Sequence, residues 1–434
     1  MGRRRVNLRD IPLRRRLPAW ARTGPVFCGN SALVVDAWRI ASRQRMGTQG
    51  MMATAGIARR GMRMNRYEID LQACRGRQER LLGVMRQLDL ELVIVQQIEH
   101  IQWLVGPRFA WVHQPAAALL ASGELLLVAP DKEPALAAAD RVVTYPAKWW
   151  STLRNDQRQA CAEVLDKALP GARRGRRVAV EFSTFTRHLP GLQQAELVDI
   201  EPQLYRLRRR KDADELARLR RAISATGRMY ERAREIIRPG LNELDMFNEL
   251  QAVAVRALGE MLTGTGNDYQ CAARGGPPRD RRIEAGELYI LDLGPAFRGY
   301  FADNCRTLAV GAPSDLQQRA WEQVVSVFPL VERSVRPGAS ARALFHEVQS
   351  RLAEAPVGVF DHHLGHGIGL FPHEAPHLNP HWDDCFEVGD VVAVEPGLYA
   401  PELRAGLRIE NDYLVTQDGV ELLSDFPLQL QLGT

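Results

Sequence analysis

Five of the chain's ten histidines fall in one short stretch, His362-His-Leu-Gly-His366-Gly-Ile-Gly-Leu-Phe-Pro-His373-Glu-Ala-Pro-His377. Imidazole binds metals and moves protons near neutral pH, so such a stretch asks for one role or the other. In an extended backbone His362 and His366 would share a face. Glycines at 365, 367 and 369 would let the chain run close to whatever those rings face. Four acids stand in apolar surroundings. They are Asp292 in Leu-Tyr-Ile-Leu-Asp-Leu-Gly, Asp303 eleven residues on, Glu395 after Val-Val-Ala-Val, and Glu410 after Leu-Arg-Ile. A buried carboxylate is costly unless a cation or hydrogen-bond donors meet it. Four acids and an imidazole converging from separate strands suit two divalent transition ions, which carboxylates can bridge. Two such ions about 3.5–4 Å apart can activate a water and polarise a carbonyl. Arg306 and Arg408 offer a second reading, a structural ion network in which they neutralise the same acids.

The elements that must position these side chains are legible as apolar runs. Residues 287–294 and 300–310 read as paired strands around 295–299, which places Asp303 across the hairpin from Asp292. Residues 391–399 and 406–415 carry the two glutamates in the same way. Upstream, Leu216, Leu219, Ile223, Met229, Ala233 and Ile236 mark one face of a helix that Asp212 or Asp214 can start. Arg-Pro-Gly occurs at 238–240 and again ninety-eight residues later at 336–338. Each copy is preceded and followed by a helix and then by strands, and Ser314…Gln317 caps the helix before the second. The echo suggests two similar halves about a pseudo-twofold axis.

Residues 65–203 alternate helical and strand patterns without any cluster of His, Asp or Glu at ligand spacing. They read as a scaffold, specificity or assembly domain, with a hairpin at Ser122-Gly123 and a helix over 151–169. The basic run 204–211 reads as a solvated linker into the domain 204–434. Residues 1–64 hold fourteen Arg, no Lys and two acids, a net of +12. They read as a disordered arm or as sequence ahead of the true start. The remaining body carries 43 basic and 50 acidic residues, a net of −7, so no nucleic acid partner is expected. Six scattered cysteines without a CxxC pair exclude a disulfide framework and point to a reducing cytoplasm. No apolar run is long enough for a membrane span.

Taken together, Leu-Asp292-Leu-Gly…Asp303, His362-x-x-Gly-His366-Gly-Ile-Gly-Leu-x-x-His373-Glu-x-Pro376, Val-Glu395-Pro-Gly-Leu-Tyr and Arg408-Ile-Glu410 resemble the motifs of the pita-bread metallopeptidases. That group comprises Xaa-Pro dipeptidase (prolidase), aminopeptidase P and methionine aminopeptidase. Residues 66–200 look like the creatinase/prolidase N-terminal domain. The resemblance implies an α/β (α+β) chain whose C-terminal domain has two pseudo-symmetric halves. It implies two divalent ions, Mn first, with Co, Fe or Zn as alternatives. Asp292 would bind one ion, and His366 and Glu395 the other, with Asp303 and Glu410 bridging. A metal-bridging hydroxide would attack the amide carbonyl. His373 would assist proton transfer or the oxyanion, His362 would line the pocket, and Arg408 would support the bridging glutamate at the substrate's side. The expected activity is hydrolysis of peptide bonds, Xaa-Pro foremost, by a cytoplasmic homodimer. The alternatives are an enzyme of this fold acting on a small non-peptide amide or related bond, and a non-catalytic binding protein. Two departures bear on substrate. Gly275 stands where the family has a histidine, seventeen residues before Asp292, and His377 stands where prolidases carry an arginine that clamps the substrate carboxylate.

Overall fold

The structure is a computed structural model that describes residues 67–169, 176–184, 189, 192, 195–266 and 268–431. The reading of residues 1–64 lies outside the described residues. The N-terminal part is built on a six-stranded mixed sheet in the order Arg141–Tyr145, Leu125–Pro130, Ala116–Leu120, Leu92–Val95, Arg177–Val180, Glu196–Asp199. The run Leu-Val-Ile-Val at 92–95 is apolar throughout because both of its faces are covered. Val93 and Val95 pack with Leu81 and Met85 of the helix Leu71–Gln87, while Leu92 and Ile94 pack with Cys161 and Leu165 of the helix Gln157–Ala168. The hairpin expected at Ser122-Gly123 joins antiparallel strands.

Two expectations for this part fail. The helix expected over 151–169 covers only Gln157–Ala168. Ahead of it Lys148–Trp149 pairs with Thr152–Leu153, and the turn puts Trp150 and Ser151 at φ of 49° and 70°. A helix from 151 cannot include the left-handed Ser151 or the paired Thr152–Leu153 that follows it. The basic run is solvated only in part, at Arg206 and Arg210. It forms the helix Glu201–Arg209, and Arg208, Arg209 and Lys211 are buried. Arg208 and Lys211 meet Glu374, and Arg209 forks onto Asp390 at 2.9 and 2.6 Å. Carboxylates from the far end of the chain supply what a charge run read alone cannot reveal.

The C-terminal part repeats one plan. The helices Ala213–Ile236 and Glu243–Leu258 lead to the antiparallel pair Leu288–Leu293 and Asn304–Ala309. The helices Asp315–Val325, Phe328–Ser334 and Ala341–Leu352 lead to a sheet ordered Glu374–Leu378, Gly365–Gly367, Val391–Val394, Asn411–Val415, Val420–Leu422. Asp212 starts the first helix, its N–H donating to Glu215 Oε2 at 3.0 Å. Ser314 and Gln317 cap each other reciprocally. Each half has its own core: Met229, Met246, Leu250, Leu291 and Leu308 in the first, and Val324, Leu344, Val348, Val392 and Ile409 in the second. This is the two-halved pita-bread arrangement that the echo suggested. No helix among the described residues is long and apolar enough to cross a membrane.

Candidate metal centre

The two halves meet edge to edge, and the acids stand at that seam. Asp292 lies on the strand Leu288–Leu293 opposite Cys305, and Asp303 directly precedes the partner strand. Glu395 follows the strand Val391–Val394, where its N–H donates to Leu364 O at 2.8 Å. Glu410 sits between Leu407–Arg408 and Asn411–Val415, and its N–H donates to Cys305 O at 2.9 Å. That bond ties the segment entering Asn411–Val415 in the second half to the hairpin of the first. His366 is central in Gly365–Gly367. A Cβ on Gly365 would stand 2.0 Å from Ala393 O, and one on Gly367 2.2 Å from Ala375 O. The glycines therefore let neighbouring strands close up, rather than letting the backbone approach whatever the imidazoles face.

All five expected ligands line one cavity of about 270 Å³, together with Asp268, Arg274, His362, His363, His373, Tyr399 and Arg408. Their ligand atoms fall into overlapping groups within 4.8 Å: Asp292, Asp303 and Glu410 in one, His366, Glu395 and Glu410 in another. His366 Nδ1–H donates to Gly367 O at 3.0 Å, which leaves Nε2 bare. Nε2 lies 3.7 Å from Asp303 Oδ2 and 3.5 Å from Glu395 Oε1. These separations are long for hydrogen bonds, but two ligands of a tetrahedral ion stand roughly 3.4 Å apart.

The electrostatics point the same way. Burial first, then the neighbouring acids, push Asp303 and Glu410 well above the usual carboxylate range and raise Asp292 despite Arg408. Burial acts upward on Glu395 too, but the hydrogen bond from His363 and the adjacent His366 hold it well below. Asp292 Oδ1 and both carboxylate oxygens of Glu410 are buried and have no partner among the described residues. Orphaned buried oxygens on acids that repel one another fit divalent cations. The ion-network reading does not replace them. Arg408 Nη2 reaches Asp292 Oδ2 at 2.7 Å and also meets Asp268. Arg306, however, donates to Cys305 O, Glu410 O and Asn411 Oδ1 and leaves the acids alone.

The histidines separate by their partners. His373 stacks on His366, with ring centroids 3.7 Å apart and planes at 9°. Burial, then the neighbouring His366 and His363, lower it to about 4, so it is neutral at pH 7. His362 is lowered to about 4 by burial. Its Nδ1–H donates to His363 O at 2.7 Å and its Nε2 accepts from Tyr399 Oη at 3.2 Å. His362 lies outside the strand, so the shared face with His366 arises from a different backbone than expected. His377 is not in this cavity. It lines an adjoining one of about 440 Å³ with Tyr205, Arg208, Phe371 and His373. There its Nδ1 pairs with Asp384 at 2.8 Å and its ring stacks on Trp382. His363, Asp268, Tyr399 and Arg274 were given no role from sequence. His363 Nε2 donates to Glu395 Oε1 at 2.8 Å and so orients it. Its place in the histidine stretch was the only signal for it, and Asp268 belongs to no recognisable motif.

A model of metallopeptidase family M24 matches residues 217–417, and one of the creatinase/prolidase N-terminal domain matches residues 77–210. An uncharacterized peptidase of Bacillus subtilis is 30% identical over 259 residues, which is 58% of this chain and 72% of the relative. Among solved structures, dipeptidase PepE from Mycobacterium ulcerans aligns with a TM-score of 0.69 at 25% identity, over 84% of this chain and 99% of that one. A Xaa-Pro dipeptidase from Bacillus anthracis aligns with a TM-score of 0.69 at 23% identity, over 82% and 99%, a likeness of fold.

Proposed function

Because the chain belongs to metallopeptidase family M24, with a creatinase/prolidase-type N-terminal domain, we propose that it hydrolyses peptide bonds, Xaa-Pro bonds foremost, as aminopeptidase P and prolidase do. The observation that carries this is the acid cluster, with five ligand-type side chains on one cavity and both Glu410 oxygens unpartnered among the described residues. Asp292 would hold one divalent ion and His366 and Glu395 the other, with Asp303 and Glu410 shared; manganese is our first choice. Bound there, such ions acidify a water and polarise the scissile carbonyl.

The chain's own groups then have distinct tasks. Arg408 fixes Asp292 and Asp268, and His363 fixes Glu395, so the acids are set before substrate arrives. His373, neutral and at the cavity edge, donates a hydrogen bond to the developing oxyanion. The pair Tyr399 and His362 forms a wall with its hydrogen bonds already used. His377 would meet the substrate's flank in the adjoining cavity. A cytoplasmic homodimer is the setting the family resemblance supports. Gly275 favours a second reading, a small non-peptide amide as substrate, because a family histidine is missing there.

The test is to load purified protein with Mn, Co, Fe or Zn, measure bound metal, and assay Xaa-Pro dipeptides and longer Xaa-Pro peptides. Two ions per chain and metal-dependent cleavage are expected. No binding under any loading condition would sink the dinuclear site. Metal without peptide cleavage would move the assignment to the small amide.

A further inference from the structure

Of the two arginines that line the cavity, one is buried on the acids and the other is half-exposed on a single surface carboxylate. Arg408 is buried, and its nitrogens reach Asp268, Asp292, Tyr399 Oη and Arg274 O. The Arg274 side chain is 52% exposed, and its guanidinium lies over the Tyr399 ring, 4.0 Å from the centroid. Its fork already grips a carboxylate in two-pronged fashion, that of Asp361, with Nη1 3.0 Å from Oδ2 and Nη2 on Oδ1. Asp361 is itself 44% exposed, so this pair is worth little and is cheap to exchange.

The arginine is held from behind by the site. Its carbonyl accepts from Arg408 Nη1 at 3.2 Å. Two residues on, Gly276 N–H donates to Asp268 Oδ1 at 2.6 Å. A Cβ on Gly275 would come within 2.4 Å of Asp268 Oδ2, so residue 275 cannot carry a side chain without displacing Asp268. The side chain that this loop presents to the cavity is therefore Arg274. Tyr399, under the Arg274 guanidinium, bonds Arg408 through its phenol at 3.2 Å. Arg274 and the acids line one cavity of about 270 Å³, a space on the scale of the roughly 3.3–3.6 Å that one residue of peptide spans.

We propose that Arg274 binds the C-terminal carboxylate of a short peptide substrate, taking it in place of Asp361. Guanidinium is suited to this by its planar fork. The assignment rests on the peptidase reading of the cavity. It also explains how His377, turned to Asp384 in the neighbouring cavity, is not needed as a clamp.

The experiment uses metal-loaded full-length protein, wild type, Arg274→Ala and Arg274→Lys. Substrates are Xaa-Pro and Xaa-Ala dipeptides as free acids and as C-terminal amides, with a tripeptide amide carrying glutamate last. Wild type should prefer acids. Arg274→Ala should lower kcat/KM for acids at least tenfold more than for amides, chiefly through KM, with Arg274→Lys between and metal content unchanged. Calorimetric binding of the same dipeptide acids and amides reads the preference without cleavage. If no peptide is cleaved but acids bind better than amides only when Arg274 is present, the inference holds and the proposed function falls. No acid preference in wild type, or an equal loss on acids and amides in Arg274→Ala, overturns it. A preference confined to the glutamyl amide overturns it too, by moving the contact to an acidic side chain.

Discussion

Glu374 and Glu410 are both buried glutamates of the second half, and the molecule treats them oppositely. Glu374 meets Arg208, Lys211 Nζ at 3.0 Å and the Phe371 N–H at 3.1 Å. Burial works to raise it, but Arg208 and Lys211 hold it down to about 2. Glu410 has no partner for either oxygen among the described residues, and burial with Asp303, Asp292 and Glu395 pushes it up. Asp390 follows Glu374 in having its arginine, Arg209. Asp212, Asp214 and Glu215 sharpen the contrast. Their ligand atoms also lie within 4.8 Å of one another, yet Arg77, Arg80 and Arg218 answer them. Proximity of acids is therefore not what marks a metal centre here. The mark is proximity without a matching cation.

The largest test of that contrast is Asp303→Asn. Asp303 belongs to the group with Asp292 and Glu410 and to the group with His366 and His373. The substitution keeps the size and removes the shared charge. Peptidase activity should fall by about 10³-fold or more, and bound metal below half of the wild-type content, by elemental analysis. The metal-free variant should melt no lower than metal-free wild type, because there burial and the neighbouring Asp292 and Glu395 already disfavour a charge at Asp303. Full metal content in the variant would break the contrast.

Next in size is the same kind of change on the compensated side. Glu374→Gln leaves Arg208 and Lys211 buried without their anion and should cost about 3–5 kcal/mol in denaturant unfolding, with or without metal. The pH dependence has a definite sign. The folded value of about 2 lies below the ordinary 4.5, so Glu374's contribution is full above 4.5 and is lost as pH falls towards 2. In the variant the wild-type fall in stability across that window should be shallower. A Glu374→Gln protein as stable as its parent would show that the cations had found other partners.

These tests also locate what sequence could convey. Asp292, Glu395 and Glu410 were legible as candidate ligands because each sits in an apolar run, where an acid needs a reason; Asp303 was marked by its spacing from Asp292 and His366 by the histidine stretch. The halves were legible from Arg-Pro-Gly and its flanking helices. The compensation of Glu374 was not, since Arg208 stands 166 residues away in sequence and Lys211 163. Read alone, their basic run is indistinguishable from a solvated one. Asp268 was hidden for a related reason. It owes its place to a loop whose path is set by Gly275, Gly276 and Arg408, and no periodicity encodes such a path. The helix expected from 151 failed on local backbone, the left-handed Ser151 and the paired Thr152–Leu153, which pattern does not reveal.

The smallest effect probes where the uncompensated cluster ends. His373 falls within 4.8 Å of Asp303 and His366 at its ligand atoms, so by distance alone it qualifies as a third ligand. Its stacking argues otherwise. A ring lying parallel to His366 at 3.7 Å presents its face to that imidazole and its edge to the cavity. Among the described residues no acid hydrogen-bonds to it, whereas His363 bonds Glu395. A donor to the oxyanion is worth about 10²-fold in kcat, whereas a ligand is needed for the ion itself. His373→Ala should therefore lower kcat by about 10²-fold with metal content unchanged and KM altered severalfold at most. If the variant loses metal in parallel with activity, the cluster extends to His373. If it turns over at the wild-type rate, the oxyanion is met by another group, and the neutral edge of the cluster does no chemistry.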